Sequence, residues 1–476
     1  MKKVVFVFFA LVLISGISIY KGFGISWDEP IQRAYGKRVY DNVIGDLDNL
    51  ETSSEKYYGP AFEFTLTIVE NIANVQSQRE SYEIRHLTTY IFNFIGFIFF
   101  YKLALLIFEK EEIALLGTMM LVLSPRIHAH SFYNSKDLVF LSSFIIASYF
   151  SLNYVKKQNF KNAILAGFFN ALTIDIRVSG VIVPFITTLV LFSNLKFDEK
   201  KIKTFIVYAT VTTIFTYIMW PILWKNPVEE FINAVDQMAN FHETSATVFF
   251  GKNITGDKIP WYFVPVWIFI TIPITQIFLF VAGMLLVAKN YKSFYILSWF
   301  FLPLGMVILL KSVLYDGWRQ MFFIYPAFIL IGMHALSNKY KAWIYALVLI
   351  NHLNCALFIY SEHPNHNVYF NQLAGPRDKI ARNFARDYWG LVYKQLYEYL
   401  VETVPKGDVR VYVDIFPGEN NKYMVENSER IIITKGIKDA DYFVTNFRGK
   451  TNTENFTKIH SEYSGDLEIG AVYSIP

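Results

Sequence analysis

The sequence predicts an all-α polytopic membrane protein carrying a small α/β domain at its C-terminal end. Apolar runs long enough to cross a bilayer recur from Val4–Tyr20 to about Tyr360. The connections between them alternate, one set short and rich in lysine, the other holding the acids, histidines and arginines. Composition agrees: 53% of residues are hydrophobic and 18% aromatic, more than a soluble core of this length can use, so lipid must supply the missing apolar partner.

A hydropathy reading places about eleven spans, near residues 4–21, 87–108, 112–124, 138–155, 162–177, 179–195, 204–223, 262–288, 293–311, 321–337 and 341–360. The third and sixth are short, and charge interrupts the fifth. Lys2 and Lys3 before the first run resemble a signal peptide, but Lys21-Gly22-Phe23-Gly24 offers no small-x-small cleavage site, so the run reads as a retained signal-anchor helix. With the N-terminus in the cytoplasm, Glu109/Lys110, Lys156/Lys157/Lys161, Lys196/Lys200/Lys201/Lys203, Lys289/Lys292 and Lys339/Lys341 all fall inside. An odd number of spans then places residues 361–476 outside. The expected division is a membrane domain, 1–360, with a long first outside loop, 22–86, and an extracytoplasmic region, 361–476.

That last region begins as an interfacial, aromatic-rich stretch with a helix-period run at Leu391–Val401. Beyond the turn signal Pro405-Lys-Gly-Asp408, the segments Val409–Ile415, Arg430–Thr434, Tyr442–Asn446 and Ile469–Ile475 read as strands of a cap of about 70 residues. The net charge of +4 is small and lysine gathers at membrane edges, which argues against a nucleic-acid partner. A single cysteine, Cys355, excludes an intrachain disulfide.

The polar clusters fall on one side. Asp28-Glu29 follows the first helix, where partial desolvation suits a carboxylate to proton abstraction; the alternative is a helix cap ahead of Pro30. The same outside loop carries Tyr57-Tyr58-Gly59-Pro60 and an amphipathic stretch, Phe62–Val75, suited to the interface. The second outside loop holds Arg126, His128, His130, Asn134, Lys136 and Asp137. At i, i+2 the two histidines could share a strand face and, with Asp137, bind a divalent cation. Lys136 and Arg126 read better as phosphate partners, or as side chains snorkelling to the interface. Asp175 and Arg177, two residues apart at a span's outer end, cannot pair on one helix face. Arg177 is therefore available to a phosphate, or to an ion pair between helices. Tyr315, Asp316 and Arg319 repeat the theme at another helix mouth.

Trp27-Asp28-Glu29 with Gly36, Ser124-Pro125 leading to His130 and Asn134-Ser-Lys136-Asp137, Arg177-x-x-Gly180, and Arg319 ahead of Tyr325-Pro326 resemble the GT-C superfamily. These are membrane glycosyltransferases that use polyprenyl-phosphate sugars, similar to protein O-mannosyltransferases and aminoarabinose transferases. The tail His363–Asn371 with Asp387-Tyr-Trp-Gly390 resembles a bacterial branch, which implies the cell (inner) membrane. The resemblance runs from about residue 25 to about 395. It implies that Asp28 is the catalytic base with Glu29 its neighbour and that Arg177 and Arg319 lie at the donor phosphate, to which the residues themselves add Lys136 as a phosphate partner and Asp137 as the next candidate catalytic acid. It places the second-loop residues from His130 to Asp137, Asn134 among them, around the site, and His128, Tyr58 and Tyr315 are further site-lining candidates from their position beside these clusters.

The implied reaction is inverting transfer of a sugar from a polyprenyl-phosphate donor to the hydroxyl of a glycan, lipid or protein acceptor. The soluble insert of the protein mannosyltransferases is missing, which weakens protein as acceptor. No certain cofactor is implied, a divalent cation being possible, and no nucleotide-binding glycine loop is present. The alternative from another class is a transporter or flippase of a lipid-linked or anionic substrate, which predicts two related halves with broken helices. The sequence has no such symmetry.

Overall fold

The apolar runs of the sequence are helices in the computed structural model, which describes residues 1–45, 50, 53, 55–193, 198–239, 246–337 and 342–476. In chain order these are α1 (Lys2–Ile19), α2 (Glu29–Ile44), α3 (Ala61–Ile72), α4 (Gln78–Phe108), α5 (Glu111–Val122), α6 (Pro125–Tyr133), α7 (Asp137–Lys156), α8 (Phe160–Ile176), α9 (Ile182–Phe192), α10 (Glu199–Met219) and α11 (Pro227–Ala239). A hairpin of β1 (Ala246–Phe249) and β2 (Lys252–Thr255) follows. Then come α12 (Phe263–Thr271), α13 (Ile274–Leu286), α14 (Tyr291–Leu309), α15 (Tyr325–Leu336) and α16 (Ala342–Ser361).

Among the described residues, seven helical segments are long and apolar enough to cross a membrane: α1, α4, α7, α10, α14, Arg319–Leu336 and α16. The chain is a multi-pass membrane protein. The eleven expected spans each coincide with helix, but not each with a full crossing. The third is α5, of 12 residues, because Ser124-Pro125 ends it and starts α6. The eighth is two helices, broken at Pro273. Lys196, Lys339 and Lys341, expected in inner loops, lie outside the described residues.

Backbone groups freed at such breaks need partners inside the protein, since hydrocarbon offers none. Side chains supply them. Gln276 donates from Nε2 to the carbonyl of Met120 at 2.9 Å, accepts from the Tyr325 hydroxyl, and lies 2.8 Å from His352 Nε2. At the opposite ends, Asn159, Asp198 and Asn290 cap the starts of α8, α10 and α14 through their side chains.

The loop 22–77 is anchored rather than draped. Arg85 of α4 is buried between Glu63 and Glu70 of α3, and Arg33 of α2 pairs with Glu70 at 2.8 Å. Ser135, in the turn between α6 and α7, donates to Glu63. One network thus fixes α2, α3 and α4 against the start of α7. The loop expected as the second outside one is itself helical, since α6 occupies most of it and is buried along its whole length. His128 and His130 therefore point to different sides of a helix and do not share a strand face.

The region after α16 contains α17 (Arg377–Asn383), α18 (Tyr393–Thr403), β3 (Val409–Tyr412), α19 (Phe416–Asn421), β4 (Ile431–Ile433), β5 (Tyr442–Thr445), β6 (Thr457–Ser464) and β7 (Leu467–Ser474). The sheet order is β4-β3-β5-β7-β6, with β3 parallel to both neighbours and β7 antiparallel to both of its own. Four of the strands match the expected segments. The fifth, β6, is an exposed edge without an apolar alternation, and the Gly465-Asp466 turn joins it to β7. The loop 224–261, expected as polar connection, folds its β1–β2 hairpin onto the C-terminal region, with the Gly251 amide donating to Asn383 O at 3.2 Å. Phe250 and Gly251, both at positive φ, make its two-residue turn.

The buried Asp387 carboxylate accepts from the Val392 amide at 3.0 Å and from Asn367 at 3.2 Å. Burial nevertheless pushes its pKa up to about 6. Its folded-state pKa exceeds the ordinary value, so the stabilisation it gives is complete below about pH 4 and lost as pH rises through 6. Asp387→Asn should flatten this part of the stability profile in thermal melts between pH 4 and 7, and an unchanged profile would refute the assignment. Topology has its own test. An impermeant thiol reagent applied to intact cells should label Gly407→Cys and spare Lys200→Cys, against little background from the buried Cys355. Labelling of both would overturn the orientation.

Candidate active site

The site is built where α2, the starts of α7 and of the Arg319 segment, the end of α8 and the C-terminal region meet. Asp28 occupies the cap position of α2 but makes no capping bond with its side chain. Its carboxylate accepts from Arg319 Nη1 at 3.0 Å and is 22% exposed. Glu29 turns the other way. Its carboxylate is buried, accepting from the Ser26 amide at 2.7 Å and lying 2.8 Å from His86 Nε2. It fixes the bend of the chain at Asp28 and lines neither of the two cavities of the site.

Asp137 is buried behind the site with its carboxylate between two guanidiniums. Arg177 holds one oxygen, Arg319 lies 3.0 Å from the other, and Asn134 donates to that second oxygen at 3.2 Å. With no solvent access and both oxygens engaged, Asp137 orients the two arginines. Asp175, by contrast, accepts from the Ala61 amide at the start of α3, at 3.0 Å, and does not pair with Arg177.

Arg319 stacks over the rings of Trp389 and Tyr315, at 4.6 and 4.9 Å, and its Nε has no hydrogen-bond partner. Lys136 sits 3.3 Å above the Tyr58 ring and 3.8 Å from Glu55. Tyr58 is placed by Gly59, where a Cβ would run into the Asp175 carbonyl, so only glycine lets the loop press against the end of α8. Burial pushes the Tyr315 hydroxyl well up, which keeps it a proton donor.

Two cavities meet here. A polar one, about 600 Å³ and partly open to solvent, is lined by Asp28, Gln32, Glu55, Lys136, Arg319 and Arg448. A larger apolar groove, about 1100 Å³, runs from Arg177 past Ile182, Met306, Leu310 and Phe323. Tyr58 and Tyr315 line both, at their junction. The arrangement suits an amphiphile, with its chain in the groove, its anionic head against the cations, and a reacting partner beside Asp28.

The remaining sequence candidates lie deeper. His130 is fully buried beneath the site, 3.1 Å from Asn134 and 3.4 Å from both Tyr388 and Trp389. His128 lies away from both cavities with Nδ1 3.0 Å from His366 Nε2, and burial lowers its pKa to about 3. Arg126 donates to the Tyr369 carbonyl at 2.9 Å and packs on Phe370. His128, His130 and Asp137 thus do not converge, and among the described residues no group of three or more such side chains is placed to hold a metal. Sequence reasoning missed Gln32, Glu55 and Arg448. Arg448, on the loop after β5, pairs with Asp316 at 2.9 Å, donates to the Tyr388 carbonyl at 2.8 Å and covers the Trp27 ring. Nothing local marks it, because a lone arginine after a strand is an ordinary surface residue.

The family model described as dolichyl-phosphate-mannose-protein mannosyltransferase matches residues 59–224. No curated protein matches the sequence significantly. Among solved structures, ArnT from Cupriavidus metallidurans bound to undecaprenyl phosphate superposes with a TM-score of 0.53 at 9% identity, over 98% of this chain and 97% of that one. The oligosaccharyltransferase of Archaeoglobus fulgidus in its apo form gives a TM-score of 0.53 at 11% identity, over 92% of this chain and 69% of its own. At such identities what is shared is the architecture, and that architecture is the GT-C fold.

Proposed function

We propose that the protein is a membrane glycosyltransferase moving a sugar from a polyprenyl-phosphate donor to an acceptor hydroxyl, on the extracytoplasmic side of a cell (inner) membrane. The observation that carries this reading is the junction of the apolar groove with the polar cavity, which puts Arg177 at the end of a lipid-sized channel and Asp28 just beyond it. The ArnT structure of the same fold binds undecaprenyl phosphate, which supports a lipid phosphate in the groove.

In this reading Asp28 takes the proton of the acceptor hydroxyl as its oxygen attacks the anomeric carbon with inversion. The bond from that carbon to the phosphate oxygen breaks, and the electron pair leaves with the lipid phosphate. Arg177, Arg319 and Lys136 stabilise the charge that develops there, the largest single contribution expected of such a site. The Asp28 carboxylate faces a guanidinium, and Glu55 and Asp316 each face a cation; no step in this reading is routed through a divalent cation. The acceptor, a glycan, lipid or protein, enters from the polar side.

Asp28→Asn keeps shape while removing the base. It should lower transfer at least about a hundredfold in proteoliposomes supplied with lipid-phosphate sugar and an acceptor extract, with donor retention preserved. Transfer at the unmodified rate, or lipid translocation without transfer, would defeat the proposal. Arg177→Lys keeps charge but loses the fork that grips a phosphate, so the donor concentration for half-maximal rate should rise, and more so in Arg177→Ala. Equal donor use in both would leave Arg177 an ion-pair partner only. Asp137→Asn should lose stability as well as activity, by about 3–5 kcal/mol, because the buried Arg319 would keep only Asp28 and the half-buried Arg177 would lose its carboxylate partner; an unaltered melting temperature would contradict its structural role.

A further inference from the structure

A third cavity shares no lining residue with the other two. It lies between α16 and the segment 369–377, is a partly open crevice of about 520 Å³, and is walled by Asn351, Asn354, Gln372, Arg377, Tyr369 and Phe358. Asn351 accepts from the Thr275 hydroxyl at 2.7 Å, leaving its amide nitrogen unused. The side chains of Asn354, Gln372 and Arg377 make no hydrogen bond or ion pair with any described residue.

Location makes this unusual. Asn351 and Asn354 stand ten and seven residues before Ser361, the end of α16 on the cap's side, so the crevice reaches about 15 Å along a helix that reads as membrane-spanning. Asn351 and Asn354 belong to that helix, where hydrocarbon offers an amide no partner, and Arg377 and the exposed Gln372 border the crevice from the segment after it. Beside the crevice, Leu353, Leu357 and Tyr360 are exposed. An apolar strip thus borders a pocket of donors.

We propose that this crevice binds an anionic phospholipid from the leaflet on the cap's side. Its phosphate sits in the fork of Arg377. The amides of Asn351, Asn354 and Gln372 donate to the oxygens of the phosphate and glycerol esters, and the acyl chains lie along Leu353 and Leu357. A polar partner reaching into the membrane with its tails parallel to the helix satisfies every unused donor at once. The site is separate from the transfer chemistry and does not rest on it.

The test uses the full chain in phosphatidylcholine nanodiscs containing a small fraction of phosphatidylglycerol with a photoreactive acyl chain, with adducts mapped by mass spectrometry after irradiation. Adducts are expected on residues 353–360. Arg377→Ala and Asn354→Leu should each lower them by about tenfold, the loss of one charge-assisted or buried hydrogen-bonded contact. Excess inorganic phosphate should leave them in place. Asn354→Leu makes the helix more apolar, so it remains a usable variant if the arginine change impairs folding. Adducts unchanged in the variants, absent from these residues, or displaced by inorganic phosphate alone would overturn the proposal.

Discussion

The end of this molecule that carries the cap is organised around a buried carboxylate shared by two guanidiniums. Arg177 arrives from the end of α8 and Arg319 from the segment before α15; Asp137 is the carboxylate they share, and without it the buried Arg319 would have Asp28 alone. Asp137 is the first residue of α7, so the position of one helix start sets the spacing of two cations from distant parts of the chain. Arg319 then extends the chain of charge to Asp28. The two aspartates flank the same guanidinium but only one has solvent at its back. That difference in environment, rather than residue type, divides support from chemistry.

The class of fold was legible because bilayer thickness imposes a length on apolar runs and charge imposes a side on loops. The number of full crossings was less so. Hydropathy cannot separate one long helix from two short ones broken at Pro273, nor see that Ser124-Pro125 divides α5 from a second, buried helix. In the cap, apolar strands β3, β4, β5 and β7 announced themselves, whereas β6 pairs through its backbone at an edge and leaves little pattern in its side chains.

The candidate site was legible in its ions and opaque in its supports. Asp28, Lys136, Arg177, Arg319 and the two tyrosines are individually conspicuous beside apolar runs, and the fold brings them to one junction. Glu29 and His128 are equally conspicuous in sequence, yet each is consumed by a neighbour, His86 and His366 respectively. Glu55 and Arg448 become visible only once tertiary contacts bring a loop and a cap to the same cavity. Pairings across tens to hundreds of residues carry no local signal.

The contact between Trp27 and the Asp387–Gly390 segment, in which the Trp27 amide donates to the Trp389 carbonyl at 3.0 Å, also bears on biosynthesis. The carboxylate at residue 28 emerges early from a ribosome, while the indole under Arg319 and the arginine at 448 come more than three hundred and fifty residues later. A nascent chain already threaded into lipid therefore holds an open, floorless cleft. Completion of translation is built into the architecture as a condition for assembling the cavity, so truncated products left in the membrane would carry the ions without the enclosure that gives them a common purpose.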